Sequence, residues 1–61
     1  MMRSVYVFCA DGFEEVEGLT AVDLLRRAGV SVTMVSIMGR TKITGARNIS
    51  VNTDILIEDI K

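Results

Sequence analysis

Two runs of β-branched and aromatic residues, SVYVFCA (Ser4–Ala10) and VSVTMVSI (Val30–Ile37), bracket one stretch of helix formers that stops at a glycine. The first run is nearly continuous in apolar character, as expected of a strand covered on both faces in a parallel sheet. Asp11 and Gly12 read as a turn. Phe13–Ala28 then carries good helix formers with Arg26 and Arg27 in its last turn, and Gly29 stands where a left-handed cap belongs. The second run alternates before turning apolar, which predicts another strand. Strand, helix and strand at this spacing make a right-handed βαβ unit, and the class is α/β with a parallel sheet.

Beyond Gly39 the pattern changes. RTKITGARNISVNTD alternates polar and apolar residues around Gly45 with no helical period, so a hairpin is expected with Ile43, Ile49 and Val51 buried. DILIEDIK opens on Asp54, placed as the N-cap of a single helical turn or loop. A parallel sheet needs cover on both faces, yet one helix serves two strands here. At this length only about 60% of the unfolded surface is buried on folding, and a single cysteine rules out an internal disulfide. The expectation is that residues 1–61 are the opening fragment of one larger α/β domain, with the rest of that domain, on this or a separate chain, as partner.

Charge and motifs exclude several functions. Lys and Arg total 7 against 8 Asp and Glu, interspersed, for a net charge of −1. Neither nucleic acid nor an anionic membrane has an electrostatic footprint to meet. No apolar run approaches the ~18 residues of a spanning helix, no signal-peptide pattern opens the chain, and the lone cysteine suits a reducing compartment, so a cytoplasmic location is expected. Neither GxGxxG nor GxxxxGK(S/T) is present, and Glu14, Glu15 and Glu17 crowd a helix start where phosphate would need free N–H groups. No flavin, dinucleotide or other cofactor is therefore expected. With no histidine and one cysteine, no metal site is expected either. Cys9 falls inside the strand run and reads as a buried, inert thiol.

The three glutamates separate when the helix is wound at ~100° per residue. Counting from Phe13, an apolar arc gathers Leu24 at ~20°, Ala28 at ~60°, Ala21 at ~80° and Leu25 at ~120°. Glu17, at ~40°, falls inside that arc, Glu14 at its edge, and Glu15 on the opposite face. Glu14 and Glu15 read as charges that complement the helix dipole. Glu17 reads as the carboxylate aimed at the sheet, where an apolar surface penalises the charged form and favours a proton-carrying group for general acid/base work. It also follows the carboxyl end of a strand by one turn, where ligand crevices of open α/β sheets lie.

In order and spacing, GFEEVE, DLLRRAG, VSVTMV and DILIEDIK resemble the opening of the ThiJ/PfpI superfamily, which includes the parkinsonism-associated deglycase. The resemblance implies a flavodoxin-like three-layer sandwich with a parallel sheet, related to class I glutamine amidotransferases, of which this chain is the N-terminal β-α-β-hairpin portion. It implies a homodimer and a cofactor-independent, cysteine-dependent enzyme acting on small carbonyl or amide substrates, of glyoxalase, deglycase, amidase or peptidase type. It places the family's catalytic glutamate at Glu17. The family's reactive cysteine lies on an elbow beyond Lys61, and Cys9 does not match it, so the 61 residues alone would be inactive. Arg27 and Arg47 become candidates for binding small anions or for the dimer interface, although solvated arginines fit those positions equally. A redox sensor or chaperone on the same fold is the alternative. More remote is a phospho-acceptor receiver domain, whose acids hold Mg²⁺ at a strand end.

Overall fold

The computed structural model describes residues 3–60. Strand β1 (Ser4–Cys9) leads into helix α1 (Glu15–Arg27) and strand β2 (Ser31–Ser36), and the two strands pair in parallel from Ser4–Ser31 to Cys9–Ser36. This is the expected βαβ unit, shortened by a residue or two at the helix and strand ends. The helix stops as its sequence implies: Ala28 caps it and Gly29 takes a φ of +87°, a conformation that costs glycine little.

The hairpin also forms. Strands β3 (Lys42–Thr44) and β4 (Ser50–Asn52) pair antiparallel, with Ile43 opposite Val51. Ile43 is fully buried and Val51 half-buried, but Ile49 is exposed, contrary to expectation. The ladder ends at the Thr44–Ser50 pair. Ile49 therefore belongs to the turn and not to the face that Ile43 and Val51 share.

The final segment holds the anticipated single helical turn, but only after a short strand that was not expected. Strand β5 (Ile55–Leu56) adds in parallel to the far side of β2, giving the order β1-β2-β5, and a 3₁₀ turn follows over Ile57–Asp59; Lys61 lies outside the described residues. Asp54 caps no helix. Its carboxylate accepts the Met34 N–H at 2.8 Å and the Arg26 guanidinium at 3.0 Å, while Arg26 also donates to the Val32 carbonyl at 2.9 Å. Those bonds tie the end of α1 to β2 and to the start of β5.

The core lies on one side of the sheet. Cys9, Val32 and Met34 from the strands meet Val22 from the helix and Ile43 from the hairpin, with Leu19, Leu25 and Phe13 packed around them. Side chains alternate across a strand, so Tyr6 and Phe8 point to the other side. Both are exposed, their ring centroids 6.3 Å apart. On that second face Val35 of the central strand is fully buried, while the edge strand β1 leaves its aromatic side chains exposed among the described residues.

Ile43 joins the hairpin to this core, so truncating it should disturb both. In denaturant unfolding, Ile43→Ala is expected to lower stability by about 2–5 kcal/mol and Ile43→Val by about 0.5–1.5 kcal/mol. Equal small losses from both would mean that the hairpin is not seated in the core.

Candidate functional site

The loop between β1 and α1 is joined to the hairpin residue by residue. At its start, the Asp11 carboxylate accepts the Thr44 N–H at 2.9 Å and pairs with the Arg40 guanidinium. Gly12 N–H donates to the Thr44 carbonyl at 2.8 Å, and the Phe13 carbonyl accepts the Ala46 N–H at 2.8 Å. Glu15 completes the series. One of its carboxylate oxygens accepts N–H bonds from Arg47 at 2.9 Å and from Ile49 at 3.1 Å, and its other oxygen lies 3.1 Å from the Arg47 nitrogen.

Glu15 is only 4% exposed. Burial pushes its carboxyl up, but hydrogen bonds from its own backbone and from those of Ile49 and Arg47, with the Arg47 charge, outweigh that and hold it below the ordinary value. Asp11 is likewise held low, foremost by the Thr44 N–H, which outweighs the upward push of burial, with the Arg40 hydrogen bond and charge adding to it. The hairpin turn makes room for the carboxylate. A Cβ on Gly45 would overlap the Glu15 carboxyl group, and Asn48 takes a φ of 66°, which asparagine tolerates better than most residues.

The structure reverses the assignment of the first-turn glutamates. Glu15, expected on the solvated face, is buried, while Glu17, expected against the sheet, is exposed. The helix faces the core with Leu19, Val22 and Leu25, at ~240°, ~180° and ~120° on the same wheel, and Glu15 at ~200° falls among them. Of the expected arc, Phe13 and Leu25 at its two edges do pack against the core, whereas Ala21, Ala28 and Leu24, the last 59% exposed, lie outside it. Leu19 and Val22, had they been weighted over the alanines, carried the signal that would have found Glu15.

The remaining candidates fall in two places. Arg47 stands at the hairpin tip, its backbone held by Glu15 and its side chain exposed, so it shares a corner with the first turn of α1 that carries Glu17. Arg27 does not belong to that corner. It lies ~15 Å further along the helix axis and pairs with Asp23 one turn back, Nε to carboxylate at 3.0 Å, an exposed contact worth about 0.3–0.5 kcal/mol. Cys9 is buried at the end of β1 as a free thiol; burial foremost, and Asp54 next, push its pKa up, which leaves less of the reactive thiolate. Among the described residues no group of three or more histidine, cysteine or acidic side chains is placed to hold a metal ion, and no helix is long and apolar enough to cross a membrane.

Comparison with known proteins places this arrangement. The model of the DJ-1/PfpI family matches residues 3–61. The chain is 33% identical over 60 residues to protein dj-1beta of Drosophila melanogaster, matching 98% of this chain and 32% of that protein. It is 36% identical over 57 residues to the Parkinson disease protein 7 homolog of Danio rerio, matching 93% of this chain and 30% of that protein. Among solved structures, oxidised DJ-1 of Toxoplasma gondii superposes with a TM-score of 0.89 at 34% identity, covering 92% of this chain and 30% of that one. The chain thus spans about a third of the length of these relatives.

Two outcomes are expected from the Glu15 seat. Gly45→Ala should destabilise by about 1–3 kcal/mol through overpacking and should cost much less in a Glu15→Ala background; equal costs in both would place the carboxyl elsewhere. In pH-dependent unfolding, a carboxyl whose folded pKa lies below its unfolded value stabilises fully above the ordinary glutamate value of 4.5, and that contribution disappears as pH falls through the lower folded value. Glu15→Gln should remove part of this acid-dependent loss and leave the part due to Asp11. An unchanged acid profile would contradict the assignment.

Proposed function

The chain belongs to the DJ-1/PfpI family, and from that premise we propose that it forms the opening part of a larger flavodoxin-like domain and contributes Glu17 as the proton-carrying group of a cysteine-dependent site. The observation that carries this reading is the position of Glu17. It sits in the first turn after the carboxyl end of a parallel strand, where α/β sheets bind ligands, and it is turned away from the core that occupies the opposite face of α1. Among the described residues no hydrogen bond engages its carboxylate, whereas Glu15 beside it is fully engaged. Glu17 is thus free to meet a group supplied by the rest of the domain.

The nucleophile in this reading is a cysteine outside these 61 residues, since Cys9 is buried beneath the sheet's covered face. A protonated Glu17 donates a hydrogen bond to that thiolate and keeps it ionised. When the sulfur attacks the carbonyl carbon of a small 2-oxoaldehyde or amide, the proton passes from Glu17 to the carbonyl oxygen, and the resulting carboxylate takes protons up again in later steps. Arg47, at the same corner, supports binding of an anionic or polar substrate end. A homodimer is part of the proposal: the exposed stripe of Val16, Leu24 and neighbouring Arg27 on α1 offers a second copy an apolar surface with a cationic rim. The exposed Tyr6 and Phe8 on the edge strand suit cover by further elements of the same domain.

A second reading, a redox sensor on the same fold, draws on the Toxoplasma gondii relative, whose matched structure is an oxidised form. Both readings are tested on the full-length protein with a 2-oxoaldehyde such as phenylglyoxal. The enzymatic reading expects turnover and a fall of about 10²–10⁴-fold in kcat/KM for Glu17→Gln. Full activity in that variant would contradict the role of Glu17; absence of turnover, with stoichiometric oxidation of the reactive cysteine, would favour the sensor.

A further inference from the structure

We infer that Glu15 is a positioning residue of this corner, setting where the hairpin tip that bears Arg47 stands relative to Glu17. The inference deepens the proposed function and rests on its placement of ligand between Glu17 and Arg47. Three features carry it.

The contact is specific. A buried carboxylate receives the N–H groups of both Arg47 and Ile49, the residues flanking Asn48 at the turn. Such charge-assisted bonds are shorter and about twice as strong as neutral ones. They fix the Arg47 backbone while leaving its guanidinium exposed, so the arginine extends from an anchored Cα.

The contact is also separable from the rest of the hairpin. Asp11 and Gly12 hold Thr44 at the hairpin's base, and Gly45 N–H closes the turn on the Ile49 carbonyl at 2.9 Å. Ala46 N–H reaches the Phe13 carbonyl, but beyond it only Glu15 holds the tip to the helix among the described residues. Loosening Glu15 therefore frees Arg47 without unpairing β3 from β4.

Finally, the geometry couples two roles in one helical turn. Glu15 and Glu17 are two residues apart, ~200° around the helix. The inward one grips the arginine loop and the outward one faces the proposed site, so the same turn sets both ends of the corner. A misplacement of ~1 Å at such a site can cost as much as 10²-fold in rate.

The test uses the full-length protein and Glu15→Gln, which preserves size but turns an N–H₂ group toward N–H donors. Amide hydrogen exchange at Arg47 and Ile49 should quicken by about tenfold or more, the scale of one lost hydrogen bond to a charged group, while the Thr44 amide, held by Asp11, keeps its rate. With phenylglyoxal as substrate, KM should rise about tenfold with kcat changed far less, and Glu15→Gln combined with Arg47→Ala should be no worse than Arg47→Ala alone. Additive losses in the double variant would overturn the inference, because a purely structural role does not act through Arg47. If the wild-type protein turns over no 2-oxoaldehyde, the enzymatic reading fails by itself and the exchange pattern decides the positioning role: selective loss of protection at Arg47 and Ile49 upholds it, and no selective change overturns it. If Glu15→Gln does not fold, wild-type exchange decides, with protected Arg47 and Ile49 amides supporting the anchor and rates of an unstructured peptide refuting it.

Discussion

One buried carboxylate, Glu15, receiving backbone N–H groups from Arg47 and Ile49, is the contact on which the arrangement of this corner depends. In many α/β folds the loop after the first strand presents its N–H groups to a phosphate. Here the hairpin offers N–H groups in the opposite direction, and the helix start supplies the anion. An internal carboxylate takes the part that a ligand's phosphate plays elsewhere, which accounts for the acidic first turn and for the close approach of Gly45. The hairpin is thereby fixed beside the loop that follows β1.

The two faces of α1 then have separate tasks. Leu19, Val22 and Leu25 pack toward β2 and the hairpin and bring Glu15 with them. Val16, Glu17 and Leu24 look outward. A helix apolar on two sides is expected where more protein covers it, in keeping with a chain that matches about a third of its relatives' length. Arg26 and Asp54 secure the far end of the helix to β2, so the helix is held at both of its ends.

Much of the fold was legible in the residues. The two β-branched runs, the stop at Gly29, the hairpin about Gly45 and the burial of Ile43 all express local rules: strand propensity, the left-handed cap, turn chemistry and alternation. The phase of α1 was not, because the arc from Phe13 through Leu24, Ala28 and Ala21 to Leu25 and the arc from Leu25 through Val22 to Leu19 are both apolar and share Leu25. Periodicity reports that a stripe exists and says nothing of which neighbour covers it. Asp54 was misread for a related reason: an acid before Ile-Leu looks like a cap, yet its partners Arg26 and Met34 lie far away in sequence. The grip of Glu15 on residues more than thirty positions on has no local signature at all. Family resemblance reached Glu17 by another route, and the exposed position of that residue is the opposite of the one its helical phase implied.

The most direct measurement of the central claim is the titration of the Glu15 side-chain carboxyl, followed by carbon NMR in the full-length protein. A carboxylate buried without partners would hold its proton more tightly than usual, and one that serves as the hairpin's internal anion must hold it less tightly. The account predicts a midpoint below that of an ordinary glutamate. A midpoint at or above the ordinary value would contradict it.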